Sequence, residues 1–379
     1  MGKKIAKFIG CIFGILILIV VVYVLYVMLS YTRLEDHLAL TSDAPGDSQV
    51  VRQAIESDSD REFCIITANI GFGAYDQEFD FFMDGGTMSW AQSRERVEEN
   101  VRGMSEAIVG YEPDFLFLQE VDTDGTRSYH VDEYELVRQE FPSFETVYAQ
   151  NYDSAFLFWP LYQPHGRNEA GLVTLSLYDI VAAERRSLPI SDSFSKFLDL
   201  DRCYSISKIV CENGRELVLF NVHLSAYGVD ASIQQAQREM LYGDMVAEYE
   251  KGNYVIVGGD FNHDMTGDSG VRYGNQVQAV ESWAKPFDFD SVPEGFTVGA
   301  RALAEAGEFD MAATCRDAGR PYDGTNDRWV LDAFIYSDNV EVLEYETVDL
   351  DFAYSDHNPV RMVFRLLGVG SAHEASVQR

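Results

Sequence analysis

Basic residues are scarce in this chain: 29 Lys and Arg stand against 62 Asp and Glu, a formal net charge of −33. Such an imbalance repels polyanions at long range and argues against processive travel along nucleic acid. The chain also lacks an arginine-rich patch or a basic stripe interleaved with aromatics, the usual dress of a groove binder. Cysteine is equally sparse, with 5 in 379 residues and no C-x-x-C pair. That disfavours a zinc–thiolate site and implies no disulfide framework, so buried free thiols are expected, with a Cys203–Cys211 bridge across a hairpin as the alternative. No internal repeat recurs.

Charge is absent altogether from residues 8–30, FIGCIFGILILIVVVYVLYVMLS. The run is long enough to cross a hydrocarbon core of about 30 Å as a helix. It exceeds a signal-peptide h-region and no small-residue cleavage motif follows it, so it reads as an uncleaved anchor. Lys3, Lys4 and Lys7 precede it while Arg33, Glu35 and Asp36 follow. The positive-inside bias then puts residues 1–7 in the cytoplasm and the rest outside the cell membrane, as a single-pass protein. Residues 31–60, rich in Asp, Ser and Gly, read as a stalk, residues 61–367 as the folded domain and residues 368–379 as a tail.

Within the domain, apolar runs far apart in sequence each end in a polar residue. FCIITANIG delivers Asn69, DFLFLQEVD delivers Glu120, ELVLFNVHLS delivers His223, YVIVGGDFNHD delivers Asp260 and Asn262, and WVLDAFIYSD delivers Asp332. The segment SDHNPV adds Asp356 and His357. Short apolar runs bounded by turn signals fit buried strands, and carboxylates or imidazoles at their tips can gather at one sheet edge. Val97, Val101, Met104 and Ile108 recur at helical spacing behind a Ser89–Gln92 capping box, and Ile233, Met240 and Met245 recur before a stop at Gly252. Glu212, Asn213 and Gly214 between two apolar runs signal a hairpin. Strands joined partly by helices and partly by hairpins predict two mixed β-sheets face to face with helices outside. Asp260 and Asn262, two apart, share a side provided that the strand continues through Phe261.

These motifs together resemble the endonuclease/exonuclease/phosphatase superfamily, of which deoxyribonuclease I is a member. The matches are Asn69 in TANIG, Gln119-Glu120, His223 in NVHLS, Gly259-Asp260-Phe261-Asn262, Leu331-Asp332-Ala333-Phe334 and Ser355-Asp356-His357, in the family's order. The resemblance implies a four-layer α/β sandwich, here preceded by one transmembrane helix, and metal-dependent hydrolysis of a phosphoester. Glu120 offers a hard anionic oxygen suited to Mg²⁺, with Mn²⁺ as the alternative ion. By resemblance Glu120 is the principal metal ligand, with Asn69 and Asp356 completing the shell or orienting its waters. Asp260 would position or deprotonate the attacking water, Asn262 would hold that water or a phosphate oxygen, and Asp332 would fix His357. His223 would assist the leaving group or the phosphoryl oxygens.

Further expectations concern recognition. Asn168 or Glu169 is placed to reach the cleft, and Arg127, Tyr129, His130, Lys196 and Arg202 are candidates to bind a phosphate headgroup. His37, His165, His263 and His373 are expected to be structural. The loops Phe79 to Trp90 and Asp153 to Arg167 carry aromatics that either cover the core, stack on a base or sugar, or dip into lipid. The favoured substrate is a phosphodiester of a lipid or small molecule outside the membrane. A membrane-tethered nuclease, disfavoured by the acidity, and an inactive binding module are the alternatives.

Overall fold

A computed structural model describes residues 2–45, 54–56, 60–197, 200–226, 230–277, 282–307 and 311–368; His373 and most of the expected tail lie outside them. The strands of the first half are β1 (Leu38–Leu40), β2 (Ser42–Asp43), β3 (Phe63–Asn69), β4 (Phe115–Gly125), β5 (Glu145–Asp153), β6 (Asn168–Ser176) and β7 (Ile180–Ser187). Those of the second are β8 (Cys203–Val210), β9 (Glu216–His223), β10 (Tyr254–Asp260), β11 (Phe296–Val298), β12 (Cys315–Arg316), β13 (Arg328–Trp329), β14 (Asp332–Ser337), β15 (Val340–Thr347) and β16 (Val360–Leu366). The α-helices are α1 (Gly2–Ser30), α2 (Arg94–Val109), α3 (Glu133–Glu140), α4 (Ala231–Tyr249), α5 (Ser269–Arg272) and α6 (Gly299–Ala306).

Two seven-stranded sheets form, in the orders β1-β7-β8-β9-β10-β14-β11 and β15-β16-β3-β4-β6-β5-β2. β3–β4 and β9–β10 pair in parallel and the other strand pairs among the described residues are antiparallel, so both sheets are mixed. The central strands are apolar on both faces because both faces are covered. Phe63, Ile65, Phe115 and Phe117 meet Leu217, Leu219, Ile256 and Phe334 between the sheets. Their alternates turn outward: Ile66, Leu116 and Leu118 pack on Val97, Val101 and Met104 of α2, and Val218, Phe220 and Val257 pack on Leu241 and Met245 of α4. The four-layer sandwich is thus built by period-two alternation against the 3.6-residue period of flanking helices.

Local details depart from the sequence reading. Ser93 caps α2, its side chain accepting from Arg96 N at 3.1 Å; the expected box does not form, because Ser89 bonds instead to His165 Nδ1 at 3.0 Å. The Glu212–Gly214 hairpin forms, with Gly214 at φ 80°. Cys203 and Cys211 lie at opposite ends of β8, about 26 Å apart at strand rise, and all five cysteines are free. α4 ends at Tyr249, one turn before Gly252 at φ 86°.

The expected stalk is the larger correction. β1 pairs antiparallel with β7, and β2 with β5, so this segment closes an edge of each sheet. Arg33 Nη2 donates to Leu188 O at 2.6 Å, Arg186 pairs with Asp36 at 3.0 Å, and Ile55 is fully buried. Edge pairing recruits backbone N–H and C=O groups, which composition does not report.

A polar rung crosses the apolar interior. Gln119 Nε2 donates to Asn221 Oδ1 at 2.8 Å and to Thr67 Oγ1 at 3.1 Å, and Asn221 Nδ2 donates to Val173 O at 2.9 Å. Thr67, Gln119 and Asn221 are fully buried and tie the two sheets together. Asn221→Ala leaves Gln119 short of a partner and is expected to cost about 1–3 kcal/mol. Thermal melts of the detergent-solubilised full-length chain check this, with Phe117→Ala expected to cost more, about 3–5 kcal/mol.

Candidate active site

One rung of the second-half sheet carries three of the expected residues. Asp260 pairs in register with His223 on β9 and with Asp332 on β14, so strand register alone sets them side by side. Gly259 makes this approach possible: at φ 143° a Cβ would stand 2.0 Å from Val222 O. The strand stops at Asp260. Asn262 takes a left-handed conformation, φ 52°, so it does not share a pleat face with Asp260 as expected. The turn brings Asn262 N to Asp260 Oδ1 at 2.8 Å and its Nδ2 to Leu224 O at 2.9 Å, which still places it beside Asp260.

The opposite sheet supplies Asn69 and Glu120. Glu120 lies in a bulge of β4, where Leu118 faces Val173 and Val121 faces Gly171, and its own φ is 56°. A left-handed glutamate is a strained conformation of the kind kept at working sites; the bulge re-aims its carboxylate off the pleat. Asn69 joins the sheets, its Nδ2 donating to Glu120 Oε1 at 3.2 Å and Asp260 Oδ2 at 3.1 Å, while its Oδ1 accepts from Gly71 N at 3.0 Å. Asn69 therefore orients carboxylates through its NH₂. A Cβ on Gly71, at φ 53°, would meet Tyr75 at 2.8 Å and Asp356 Oδ1 at 3.3 Å.

His357 Nδ1 and Asp332 Oδ2 are 2.7 Å apart, and His357 Nε2 faces Asp260 Oδ2 at 3.9 Å. Ser355 Oγ donates to Asn69 O at 2.8 Å and so fastens this loop to β3. His223 Nε2 lies 3.6 Å from Asp260 Oδ2 and 4.0 Å from Glu120 Oε1. The two imidazoles are driven apart electrostatically. Burial and then the Arg202, His357 and Arg127 charges push His223 well below its ordinary pKa. Burial also works against the charged form of His357, but Asp332, Cys315 and Asp356 outweigh it and raise it well above. The two histidines are thus pushed in opposite directions.

The remaining candidates divide. Arg127 is buried and doubly bonded to Asp122, at 3.1 and 2.7 Å, so it serves as a brace. His130 pairs with Asp124, and Tyr129 Oη donates to Gln92 O; Lys196 lies over the Phe197 ring. Asn168 accepts from Arg127 N at 3.1 Å and Glu169 pairs with Arg167, so neither is spent on the cleft. Arg202 differs: it is buried, its charge presses on His223, and Nη1 has no hydrogen-bond partner among the described residues. His165 and His263 hydrogen-bond locally to Ser89 and to Phe261 O, and exposed His37 faces Glu184, as structural residues do.

Asp84 stands exposed in the turn FFMDGG, and desolvation of its carboxyl, with the Asp356, Asp317 and Glu120 charges, raises it.

Burial raises Asp260, with Asp332 adding to the shift, and burial raises Asp356 to about 6. Asp332 Oδ1 is buried without a hydrogen-bond partner among the described residues. Asp260, Asp332 and His357 present ligand-type atoms within 4.8 Å of one another, although the Asp332–His357 bond commits that pair to each other. So many hard oxygens with so little compensating charge fit a divalent cation.

A family model described as "Endonuclease/Exonuclease/phosphatase family" matches residues 66–357. No curated protein matches the chain. Among solved structures, an endonuclease/exonuclease/phosphatase from Beutenbergia cavernae DSM 12333 superposes with a TM-score of 0.52 at 17% identity, covering 81% of this chain and 72% of that one. The human Nocturnin catalytic domain with bound sulfate gives 0.52 at 19% identity, covering 86% and 99%. ANGEL2, a 2',3'-cyclic phosphatase, in complex with adenosine-2',3'-vanadate gives 0.54 at 14% identity, covering 84% and 99%. The fold is common to all three. With the family model spanning most of its length, this chain belongs to the endonuclease/exonuclease/phosphatase family of divalent-metal-dependent phosphoester hydrolases.

Proposed function

We propose that this protein is a membrane-anchored phosphodiesterase that hydrolyses a phosphodiester of a lipid or small molecule outside the cytoplasmic membrane, using Mg²⁺ or Mn²⁺. The observation that carries the chemistry is the convergence of Glu120, Asp356, Asp260 and the Asp332–His357 pair at one edge of both sheets. The anchor rests on α1, apolar from end to end and long enough to cross a bilayer. An acid-rich surface favours a small or bilayer-bound ester over a nucleic acid.

Glu120 and Asp356 would hold the cation, with Asn69 bracing Glu120. The bound ion would supply charge neutralisation at the phosphoryl oxygens. Asp260, buried and raised, accepts a proton from the attacking water. Asn262 spends its NH₂ on Leu224 O, which leaves Oδ1 to orient that water. The His357 imidazolium faces the negative charge that develops on phosphorus, and Asp332 keeps its ring fixed. Neutral His223 hydrogen-bonds a phosphoryl or leaving-group oxygen. Arg202 would add a buried guanidinium, whose Nη1 has no partner among the described residues, to bind the phosphate.

Full-length protein in detergent, assayed on a soluble diester, a monoester, sphingomyelin, phosphoinositides and DNA, tests the reading. Turnover should need Mg²⁺ or Mn²⁺, stop with chelator, and fall about 10²- to 10⁴-fold in Glu120→Ala and in His357→Ala. A folded protein that turns over none of them would sink the proposal, and preference for DNA with steep salt dependence would replace it with a nuclease. Arg202→Met is expected to lower kcat/KM about 10- to 100-fold, the worth of one charge-assisted hydrogen bond, with partial recovery in Arg202→Lys. Asp356→Asn should raise the melting temperature of metal-free protein by relieving carboxylate repulsion. The same variant should lose the added stability of about 2.7 kcal/mol expected for the unsubstituted chain at a hundred times the metal Kd.

A further inference from the structure

The loop between β5 and β6 presents a cluster of exposed apolar side chains outside α1. Phe158, Trp159, Leu161 and Tyr162 are 52% to 76% exposed, which is unusual for four large side chains so close in sequence. Residues 154–166 carry no acidic side chain, in a protein with 62 of them.

This loop is fastened to the apolar helix. Tyr23 Oη donates to Phe156 O at 3.1 Å, Phe156 N donates to Tyr26 Oη at 3.1 Å, and the Tyr23 and Phe158 rings stand edge to face at 5.2 Å. Both tyrosines lie inside the uncharged stretch. At 1.5 Å per residue Tyr23 is about 10 Å short of the helix end at Ser30. A group touching Tyr23 is therefore carried below the level at which the chain leaves the apolar stretch. In hydrocarbon the two hydroxyls would need partners, and the Phe156 backbone supplies them.

The loop is also fastened to the cleft. Tyr162 Oη donates to Thr87 O at 2.7 Å and Trp90 Nε1 to Pro164 O at 2.7 Å, joining it to the segment that follows Asp84, whose carboxyl feels the charges of Asp356 and Glu120. It leaves β5 and enters β6 beyond Gly125, the end of the strand that holds Glu120.

We propose that residues 156–162 insert into the leaflet where α1 ends and are a second membrane contact, which holds the metal cleft at headgroup level so that it draws its phosphodiester from the bilayer. The inference rests on the anchored reading above. Tyr and Trp belong at such interfaces, one end apolar and the other wet, and a second apolar contact turns a tether into a fixed orientation.

The test uses full-length protein in phosphatidylcholine vesicles whose acyl chains are brominated near the headgroup. Flotation comes first: protein that does not float with the vesicles would overturn both the anchored reading and this one. For protein that floats, the lipid bromines should quench tryptophan fluorescence, and Trp159→Phe should remove most of the quenched component. Equal quenching with and without Trp159, or quenching of Trp159 by iodide in the water phase, would overturn the insertion and leave the anchor intact. A second arm compares Phe158→Ser/Leu161→Ser with the unsubstituted chain. Turnover of a diester in the bilayer should fall about tenfold, the effect of losing roughly 1.4 kcal/mol of interfacial binding, while a soluble diester is hydrolysed at the unsubstituted rate; equal loss on both would refute the proposal.

Discussion

The site depends on two sheets keeping a fixed register across a greasy interior, and the bond that sets it is the amide contact from Gln119 to Asn221 at 2.8 Å. Hydrophobic contacts such as Phe117 against Phe334 hold the sheets together but slide easily, since burial has no direction. An amide pair buried in low dielectric tolerates little displacement, because each group pays for an unmet partner. Gln119 immediately precedes Glu120, and Asn221 lies two residues before His223 on the same strand. The pin thus sits one step below the groups it aligns, and Asn69 repeats the connection above it by reaching both Glu120 and Asp260.

Electrostatics then differentiates residues that the backbone merely collects. His223 and His357 flank the same Asp260, yet Arg202 burdens one and Asp332 supports the other. Two identical side chains are shifted in opposite directions because burial, reinforced by positive neighbours, prevails at one and negative neighbours prevail at the other. The crowded carboxylates are a cost to the metal-free fold, of the kind proteins bear at sites shaped for a ligand rather than for stability.

The ends of β3, β9 and β10 were legible because a buried strand leaves an apolar run with a polar stop, whereas Glu120 sits in the bulge of β4, Asp332 opens β14 and Asp356 and His357 precede β16. Helices α2 and α4 were legible from periodicity, although the α2 cap was misplaced by four residues, since Ser89 and Ser93 look alike until a tertiary partner, His165, claims the first. The left-handed turns at Glu120 and Asn262 were not visible: asparagine tolerates positive φ without announcing where it occurs, glutamate does not favour it, and a bulge arises from the pairing of distant strands. Among the cations, sequence could not separate Arg127, paired with Asp122, from Arg202, whose Nη1 has no hydrogen-bond partner among the described residues. That distinction belongs to three-dimensional neighbours alone.

The segment after the helix has one further consequence. β1 and β2 are short, but each lies on an otherwise open margin, β7 in one sheet and β5 in the other. An uncovered margin is a row of unpaired backbone groups that invites a neighbouring molecule to add a strand. A fragment cut at Arg61, where the composition changes, would bare both margins at once and tend to self-associate. Residues 38–43 therefore belong with the two sheets they close, although their composition reads as a spacer.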